Sequence, residues 1–273
     1  MSVNDKIGNR MKEYYESVPK TRLMRRCPVA LRLDGKTFHT FTRGFERPFD
    51  EVLIKTMQET AKYLCENIQG TVMAYTQSDE ITLILIDYKK LNSSAWFDYE
   101  IQKMCSIAAS MATMVFNKYF ETFSLTERLK DDAEHEHKLG RVYKNALAKG
   151  AMFDCRCFNI PKEEVANLIY WRQLDAIRNS IQMVGQANFL HSELQFKTCD
   201  MIQDMLMTRK GIDWNDYPAY QKHGSCVIKE EYKVNDTTDT DEQGSIRAHW
   251  VIDKNIPIFK GEDRSYIEDL IML

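Results

Sequence analysis

The sequence has no long hydrophobic run. None of its 273 residues belong to a stretch that resembles the roughly 18 consecutive apolar residues that a membrane-spanning helix requires. Residues 1–11 are polar and mixed in charge, so no signal peptide is expected. These absences exclude a membrane-spanning protein and predict a chain with no membrane partner.

The sequence also lacks a paired cysteine motif. Its seven cysteines are an odd number and include no C-x-x-C pair. This pattern is typical of reduced thiols, so we expect a cytoplasmic protein. Cys155 and Cys157 lie two residues apart on a predicted strand, hence on one face, where metal binding is the less favoured alternative.

An excess of positive charge is missing as well. The formal net charge is -3, so the overall charge does not indicate a nucleic-acid-binding protein, and any polyanion must meet a local basic patch. No Ser-His or Cys-His arrangement suggests a covalent intermediate. The hydrophobic fraction of 44% and the length of the chain nevertheless predict a globular protein with a sizeable core.

The hydrophobic periodicity predicts the order β-α-β-β-α-β up to residue 160. Alternating and three-to-four-residue spacings predict strands at 29–34, 71–77, 81–87 and 151–160, and helices at 49–68 and 98–120. Residues 121–150 are charged and show little periodicity. Beyond Pro161 the pattern predicts helices around 165–177 and 194–207, then paired strands at 225–232 and 246–252.

This order is that of a ferredoxin-like sheet. The predicted fold class is therefore α+β, with a βαββαβ antiparallel sheet, helices on one face, and a C-terminal helical and β-hairpin extension. We expect residues 1–160 to form the core, with an N-terminal helix, and residues 161–273 to form the extension packed on it.

The first strand ends in an unusual pair of charges. Because side chains alternate along a strand, Arg32 and Asp34 lie on the same face, opposite Leu31 and Leu33. Two opposite charges on one strand face favour a ligand site. Gly35 allows a tight turn that brings its carbonyl close to whatever Asp34 binds.

A second acidic stretch, Asp79-Glu80, begins the third predicted strand. In a ferredoxin-like sheet the first strand lies antiparallel beside the third, so Asp34 and Asp79 should meet at one edge. Two close carboxylates repel each other unless cations lie between them. Oxygen ligands suit Mg²⁺, and two such ions about 3.5–4 Å apart could clamp an in-line displacement at phosphorus. The alternative is a pair of turn acids that merely end strands.

Four segments carry a resemblance to a known family. They are Arg32-Leu-Asp-Gly-Lys-Thr-Phe-His39, Tyr75-Thr-Gln-Ser-Asp-Glu80, Phe153-Asp-Cys-Arg-Cys-Phe-Asn-Ile-Pro161 and Trp171-Arg-Gln-Leu-Asp175. With these segments the chain resembles the tRNA-His guanylyltransferase superfamily from about residue 5 to 190. The resemblance implies a polymerase palm-like core that works in the 3′–5′ direction and adds nucleotides to the 5′ end of the tRNA acceptor stem. It further implies activation of the 5′ phosphate by ATP or GTP, nucleoside triphosphates as substrates, and a homotetramer.

The resemblance also implies roles for individual residues. Asp34, Asp79 and Glu80 would be the catalytic acids, and two Mg²⁺ ions would bind to Asp34, Asp79 and the Gly35 carbonyl. The residues implied to hold a nucleotide are Lys36, Thr37, Phe38, His39, Ser78 and Lys103, and those implied to contact phosphates or RNA are Arg32, Arg47 and Arg156. For Lys103 the alternative is an exposed lysine, and for Arg156 it is an internal salt bridge with Asp154.

One segment departs from the family pattern. Family members specific for tRNA-His carry His-Ile-Asn-Asn-Leu-Tyr-Asn where this chain has residues 177–183, Ile-Arg-Asn-Ser-Ile-Gln-Met, and only Asn179 is kept among the polar positions. This fits the guanylyltransferase-like branch, which repairs truncated tRNA 5′ ends. The alternatives are addition of the extra guanosine to tRNA-His, another palm-type nucleotidyltransferase or cyclase, and an inactive RNA-binding module.

Overall fold

The strands of the chain join one antiparallel sheet. In the computed structural model, which describes residues 6–128, 133–234 and 245–272, the strand order is β4-β1-β3-β2-β5-β6. The strands are β1 (Val29–Gly35), β2 (Thr71–Gln77), β3 (Glu80–Leu85), β4 (Phe153–Asn159), β5 (Ser225–Val234) and β6 (Ser245–Asp253). The helices are α1 (Lys6–Met11), α2 (Phe38–Phe41), α3 (Glu51–Asn67), α4 (Ile101–Arg128), α5 (Ala133–Lys149), α6 (Lys162–Asn188), α7 (His191–Leu194), α8 (Cys199–Lys210), α9 (Ala219–Lys222) and α10 (Ser265–Ile271).

Strand β1 lies between β3 and β4 and is antiparallel to both, which confirms the predicted α+β topology. Leu31 and Leu33 are fully buried on the face that α3 and α4 cover. Arg32 and Asp34 therefore lie on the opposite face, where they pair in register with Thr82 and Glu80 of β3. The alternation in the sequence thus places these two charges together.

Helices cover both faces of the sheet, but they come from different parts of the chain. The helices α3 and α4 pack on one face, and α3 begins where the Asp50 side chain accepts a hydrogen bond from the Leu53 N–H at 2.9 Å. The other face is covered by α6 and α10, through buried side chains that include Val165, Ile169 and Ile267. None of the helices in the described ranges is both long and apolar enough to cross a membrane.

The charged segment 121–150 is largely helical. Helix α4 continues to Arg128, and α5 covers Ala133–Lys149. Among the side chains described in α5, Tyr143 and Ala146 are buried, one turn apart. The same core also contacts the partly buried Leu139, Val142 and Leu147, so the stripe has helical spacing. The sequence analysis missed it because a run of charged residues comes directly before it.

Aromatic rings fill the core at the acidic end of β1. The rings belong to Phe38, Phe41, Phe45, Phe116, Phe120, Tyr143 and Phe153, and contacting pairs have centroids 5.2–5.9 Å apart. This aromatic cluster joins the loop after β1 to α4, α5 and β4. It therefore fixes the loop that follows Gly35.

The cluster makes a first prediction about stability. Phe120 is fully buried and contacts Phe41, Phe45, Phe116 and Tyr143. Phe120→Ala should lower the free energy of unfolding by about 3–5 kcal/mol, because it removes a ring and leaves a cavity. Urea denaturation followed by circular dichroism measures the change.

The matched control lies on the same helix. Leu125 is 45% exposed, so Leu125→Ala should change the free energy of unfolding by less than about 0.5 kcal/mol. Equal losses for both variants would contradict the packing described for Phe120.

Candidate active site

The end of β1 and the β2–β3 turn bring two acids into one cleft. The Gly35 N–H donates a hydrogen bond to the Asp79 carbonyl at 3.1 Å, and Asp34 pairs in register with Glu80. Asp34, Gly35, Ser78 and Asp79 all line a cleft of about 540 Å³. The predicted meeting of Asp34 and Asp79 is thus what the backbone pairing produces.

Gly35 is required by the ring that lies against it. A Cβ atom at this position would lie 2.2–2.7 Å from three ring atoms of Phe38, which is shorter than any non-bonded contact allows. Thr37, with φ 53° and ψ 39°, then turns the chain into α2. A glycine at the end of β1 therefore lets the loop fold back over the strand.

The loop residues that the resemblance implies are distributed unevenly around the cleft. Thr37, Phe38, His39 and Arg47 line it, together with Ser78 from the hairpin turn. The Phe38 ring is only 5% exposed, so it serves mainly as part of the aromatic cluster. The exposed Lys36 is outside the lining, and its N–H donates to the Met152 carbonyl at 2.8 Å.

The two acids in the cleft have no compensating cation of their own. Among the described residues neither Asp34 nor Asp79 forms a salt bridge. Burial raises the pKa of Asp79, and the negative charge of Asp34 raises it further. Hydrogen bonds to the Asp79 carboxylate from the Asp79 backbone N–H and from Ser78 lower this pKa in part. Bringing a cation to these two carboxylates would therefore relieve an electrostatic cost.

The donor set fits Mg²⁺ in particular. No group of three or more His, Cys, Asp or Glu side chains within the described ranges is arranged to hold a metal ion. Two carboxylates and a backbone carbonyl are hard oxygen ligands, and they leave coordination positions open for water and phosphate oxygens. Mg²⁺ is commonly bound in this way, by one or two carboxylates together with substrate phosphates.

Glu80 is engaged by an arginine that the sequence analysis did not assign. Its Oε1 accepts a hydrogen bond from Arg172 Nε of α6 at 2.7 Å, and the two side chains are 11% and 10% exposed. Burial raises the pKa of Glu80, while the adjacent Arg172 and Arg32 lower it in part. Glu80 therefore joins α6 to the hairpin, and its catalytic role stays a prediction.

The Trp171-Arg-Gln motif of α6 has a structural explanation. Besides binding Glu80, Arg172 donates to Asp175 at 3.0 Å. The buried Gln173 donates to the Pro257 carbonyl at 2.8 Å and accepts from the Phe259 N–H at 2.9 Å. Paired charges one turn apart on a predicted helix were the signal that could have identified Arg172.

Two of the predicted phosphate-binding arginines, Arg32 and Arg156, share the sheet face of Asp34. The Arg32 guanidinium lies 5.6 Å from the centroid of Trp171, and its Nε is buried without a hydrogen-bond partner in the described part of the chain. Arg156 forms an ion pair with Asp154 at 3.4 Å, with both side chains about half exposed. The internal salt bridge expected as an alternative is therefore present, but at this exposure it is weak.

Lys103 is not brought to the cleft. It lies in the first turn of α4, with Nζ 5.2 Å from the Phe97 ring centroid. This turn packs beside Cys157, whose register partner is Leu31, while Asp34 lies at the opposite end of β1. Within one chain the nucleotide contact of Lys103 stays a prediction that the cleft itself does not support.

The segment that departs from the family pattern borders the cleft. Met183 and Gln186 of α6 line it, and Ile177 packs into a third apolar cluster with Val184 and Leu206. Asn179 donates to Asp175 at 3.3 Å, so its amide is already engaged. From α6 the cleft is therefore lined by one apolar side chain, Met183, and one amide, Gln186.

An acid of the cleft wall was also missed by the sequence analysis. Buried Asp50 caps α3 and accepts hydrogen bonds from the Glu46 N–H at 3.1 Å and the Tyr143 hydroxyl at 2.9 Å. An aspartate just before a helical pattern is an N-cap signal that could have identified it.

Comparisons with known proteins agree with this geometry. The family model described as tRNAHis guanylyltransferase (Thg1) matches residues 8–161. A bacterial tRNA(His) guanylyltransferase (Thg1)-like protein in complex with ATP is 40% identical, with 97% of this chain and 98% of that chain covered and a TM-score of 0.78. A second such bacterial protein, in complex with GTP, is 38% identical over 98% of this chain and 100% of that chain, with a TM-score of 0.76. The tRNA(His) guanylyltransferase of Saccharomyces cerevisiae is 24% identical over 76% of this chain and 84% of its own.

The raised pKa of Asp79 predicts a pH-dependent effect on stability. A raised folded-state pKa favours folding below the unfolded value of 3.8 and opposes it as the pH rises through the folded value. Asp79→Asn should therefore be more stable than the wild type at pH 7, and the difference should vanish near pH 4. Urea denaturation between pH 4 and 8, without divalent cations, tests this.

Asp154→Asn is the control for that experiment. Asp154 lies at the same end of the sheet but is exposed and paired with Arg156, so its neutralisation should give no gain at pH 7. A loss of stability in Asp79→Asn at pH 7 would be the opposite of the expected sign.

The Arg172–Glu80 pair predicts a non-additive effect. Arg172→Met should lower the free energy of unfolding by about 3–5 kcal/mol, because it leaves a buried carboxylate without its partner. Adding Glu80→Gln should restore most of that loss, which a double-mutant cycle in urea measures. Arg178→Met, an exposed arginine of the same helix, is the control and should cost less than about 1 kcal/mol. Additive losses would show that the two side chains are not coupled.

Proposed function

The chain belongs to the tRNA(His) guanylyltransferase family, and we propose that it adds nucleotides to the 5′ end of tRNA, in the 3′–5′ direction, to repair truncated acceptor stems. The observation that carries the proposal is the cleft in which Asp34 and Asp79 meet beside His39, Arg47 and Ser78. Paired carboxylates in an open cleft with basic side chains suit chemistry on phosphates. ATP and GTP, which the two bacterial relatives bind, are the proposed nucleotides.

The proposed reaction has two steps. In the first, the 5′ monophosphate of the RNA attacks the α-phosphate of ATP or GTP, and pyrophosphate leaves. In the second, the 3′-hydroxyl of an incoming nucleoside triphosphate attacks the activated 5′ phosphate, and the nucleoside monophosphate leaves. Both steps are displacements at phosphorus, for which positioning and charge neutralisation suffice and no covalent enzyme intermediate is needed.

Asp34, Asp79 and the Gly35 carbonyl would hold two Mg²⁺ ions, as the donor set favours. When bound, these ions supply Lewis-acid stabilisation of the attacking hydroxyl and of the phosphate oxygens. Ser78 orients one oxygen of Asp79 by a hydrogen bond of 3.0 Å, and the Arg172–Glu80 pair holds the strand that follows. The chain thus fixes the two carboxylates from the hairpin side.

Basic side chains are proposed to bind the polyanions. Arg47 and His39 line the cleft, where they would contact the triphosphate. Arg32 and Arg156 are paired in register on the sheet face beside Asp34, where they would contact the RNA 5′ end. Arg32 has an unpaired buried Nε that a phosphate oxygen could satisfy. These contacts are local, in keeping with the net charge of -3.

The segment 177–183 of α6 supports template-directed addition over recognition of tRNA-His. Met183, which lines the cleft, offers no side-chain hydrogen-bond donor, and the Asn179 Nδ2 donates to Asp175. Gln186, which also lines the cleft, lies outside the departing segment 177–183. Choice of nucleotide would then come from pairing with the base opposite the vacant 5′ position. Addition of guanosine to tRNA-His regardless of that base is the competing function.

We also propose that the chain binds further copies of itself. The exposed apolar side chains Ile107 and Met114 lie on α4 and offer surface for the homotetramer expected from the resemblance. Sedimentation equilibrium measures the number of copies directly.

The function is tested with tRNAs of several identities that lack the first nucleotide and carry a 5′ monophosphate. Each is incubated with Mg²⁺, ATP and one nucleoside triphosphate at a time. The matched nucleotide should be added to every tRNA, about 100-fold faster than a mismatched one, because a misplaced substrate reacts slowly. Gel analysis of 3′-labelled RNA measures the lengthening.

Two variants complete the experiment. Asp34→Asn should lose more than about 99% of the activity if this carboxylate acts in the chemistry, whereas Asp204→Asn, an exposed acid of α8, should retain it. Guanosine addition restricted to tRNA-His, or extension at the 3′ end, would overturn the proposed function.

A further inference from the structure

Three cysteines meet where α4 packs on β4. Cys105 lies in the second turn of α4, and Cys155 and Cys157 alternate along β4 toward the same helix. The sulfur atoms of Cys105 and Cys157 are 3.5 Å apart. The described residues hold no group of three or more ligands arranged for a metal ion, so the cluster is best understood as thiol chemistry.

The cluster contains one activated thiol. Hydrogen bonds from Cys155 and then from Cys157 lower the pKa of Cys105 to about 6, against the effect of its own burial. Burial and the hydrogen bond to Cys105 raise the pKa of Cys157 to about 12, so this thiol stays protonated near neutral pH. A thiolate is the reactive form of cysteine, and Cys105 therefore stands out from its neighbours.

The geometry also allows the sulfur atoms to approach. A disulfide bond is about 2.04 Å long, so Cys105 and Cys157 must come together by about 1.5 Å. Among the strands of the described ranges, β4 is at the edge of the sheet and pairs only with β1, so it can shift with the loss of few hydrogen bonds. All three cysteines are partly exposed, which gives a small oxidant access.

We propose that Cys105 and Cys157 form a reversible disulfide when the protein meets hydrogen peroxide. The Cys105 thiolate attacks one peroxide oxygen, the O–O bond breaks, and the departing hydroxide takes up a proton to become water. This leaves a sulfenic acid on Cys105. Cys157 then loses its proton and its sulfur attacks the Cys105 sulfur, so that the S–O bond breaks and a second water forms. Two thiols are oxidised and one peroxide is reduced.

This site is separate from the acidic cleft and does not depend on the proposed function. Cys155 and Cys157 lie on the face of β4 opposite Arg156, whose side chain shares the face of Asp34. The disulfide would fasten the edge strand to α4 without a direct contact with the two acids.

Peptide mapping tests the proposal on the unmodified full chain. After treatment with hydrogen peroxide and blocking of free thiols, trypsin should give residues 104–118, 150–156 and 157–162 as separate peptides, because Arg156 divides Cys155 from Cys157. The expected product is 104–118 linked to 157–162, and dithiothreitol should release both. A link from 104–118 to 150–156, or sulfinic acid on Cys105 with no link, would overturn the proposal.

Alkylation rates provide the control. Cys199 is also partly exposed, but burial raises its pKa. Iodoacetamide at pH 7 should modify Cys105 about tenfold faster than Cys199, since reaction follows the thiolate fraction. Cys199→Ser should keep the cross-link, and Cys105→Ser should lose it. Equal rates at the two cysteines, or a cross-link that survives Cys105→Ser, would count against the assignment.

Discussion

The buried ion pair between Arg172 and Glu80 connects the two parts of the chain that build the cleft. Glu80 follows Asp79 directly and pairs with Asp34 across β1 and β3. Because Arg172 comes from α6, the position of the acidic turn depends on a helix 92 residues further along the chain. A buried ion pair adds little net stability compared with apolar residues of the same size, but it tolerates no loss of one partner. Its contribution is therefore to geometry: it holds the hairpin in one place.

The opposite wall of the cleft is held by packing. Gly35 lies so close to the Phe38 ring that a Cβ atom at this position would clash with it. The Phe38 ring belongs to the aromatic cluster. Asp50 and Tyr143 continue this wall by a buried hydrogen bond. The hairpin side of the cleft is thus held by an ion pair behind it and the loop side by packing, and the two sides meet at Asp34 and Asp79. Because both walls are fixed by buried contacts, the carboxylates are held close although they repel each other.

The sequence predicted the part of the site that depends on strand order. Alternation along β1 and the ferredoxin-like order are enough to place Arg32, Asp34 and Asp79 at one edge, and the structure agrees. The contact of α6 with Glu80 could not be predicted, because hydrophobic periodicity shows which face of a helix is buried but not which partner it meets. The position of Lys103 relative to the cleft could not be predicted for a related reason, and its nucleotide contact stays a prediction. The spacing of apolar residues on α4 does not show which end of β1 lies next to the first turn of that helix.

Trp171 gives this arrangement a spectroscopic reporter. The chain has four tryptophans, and Trp96, Trp214 and Trp250 are each 8% exposed, whereas Trp171 is 52% exposed. The guanidinium groups of Arg32 and Arg172 lie 5.6 Å and 4.5 Å from its ring centroid. A dissolved quencher therefore reaches Trp171 more easily than the other three tryptophans. The two cations beside its ring attract iodide, which is an anionic quencher. Collisional quenching of the native protein thus follows the surroundings of the Glu80–Arg172 pair without an attached label.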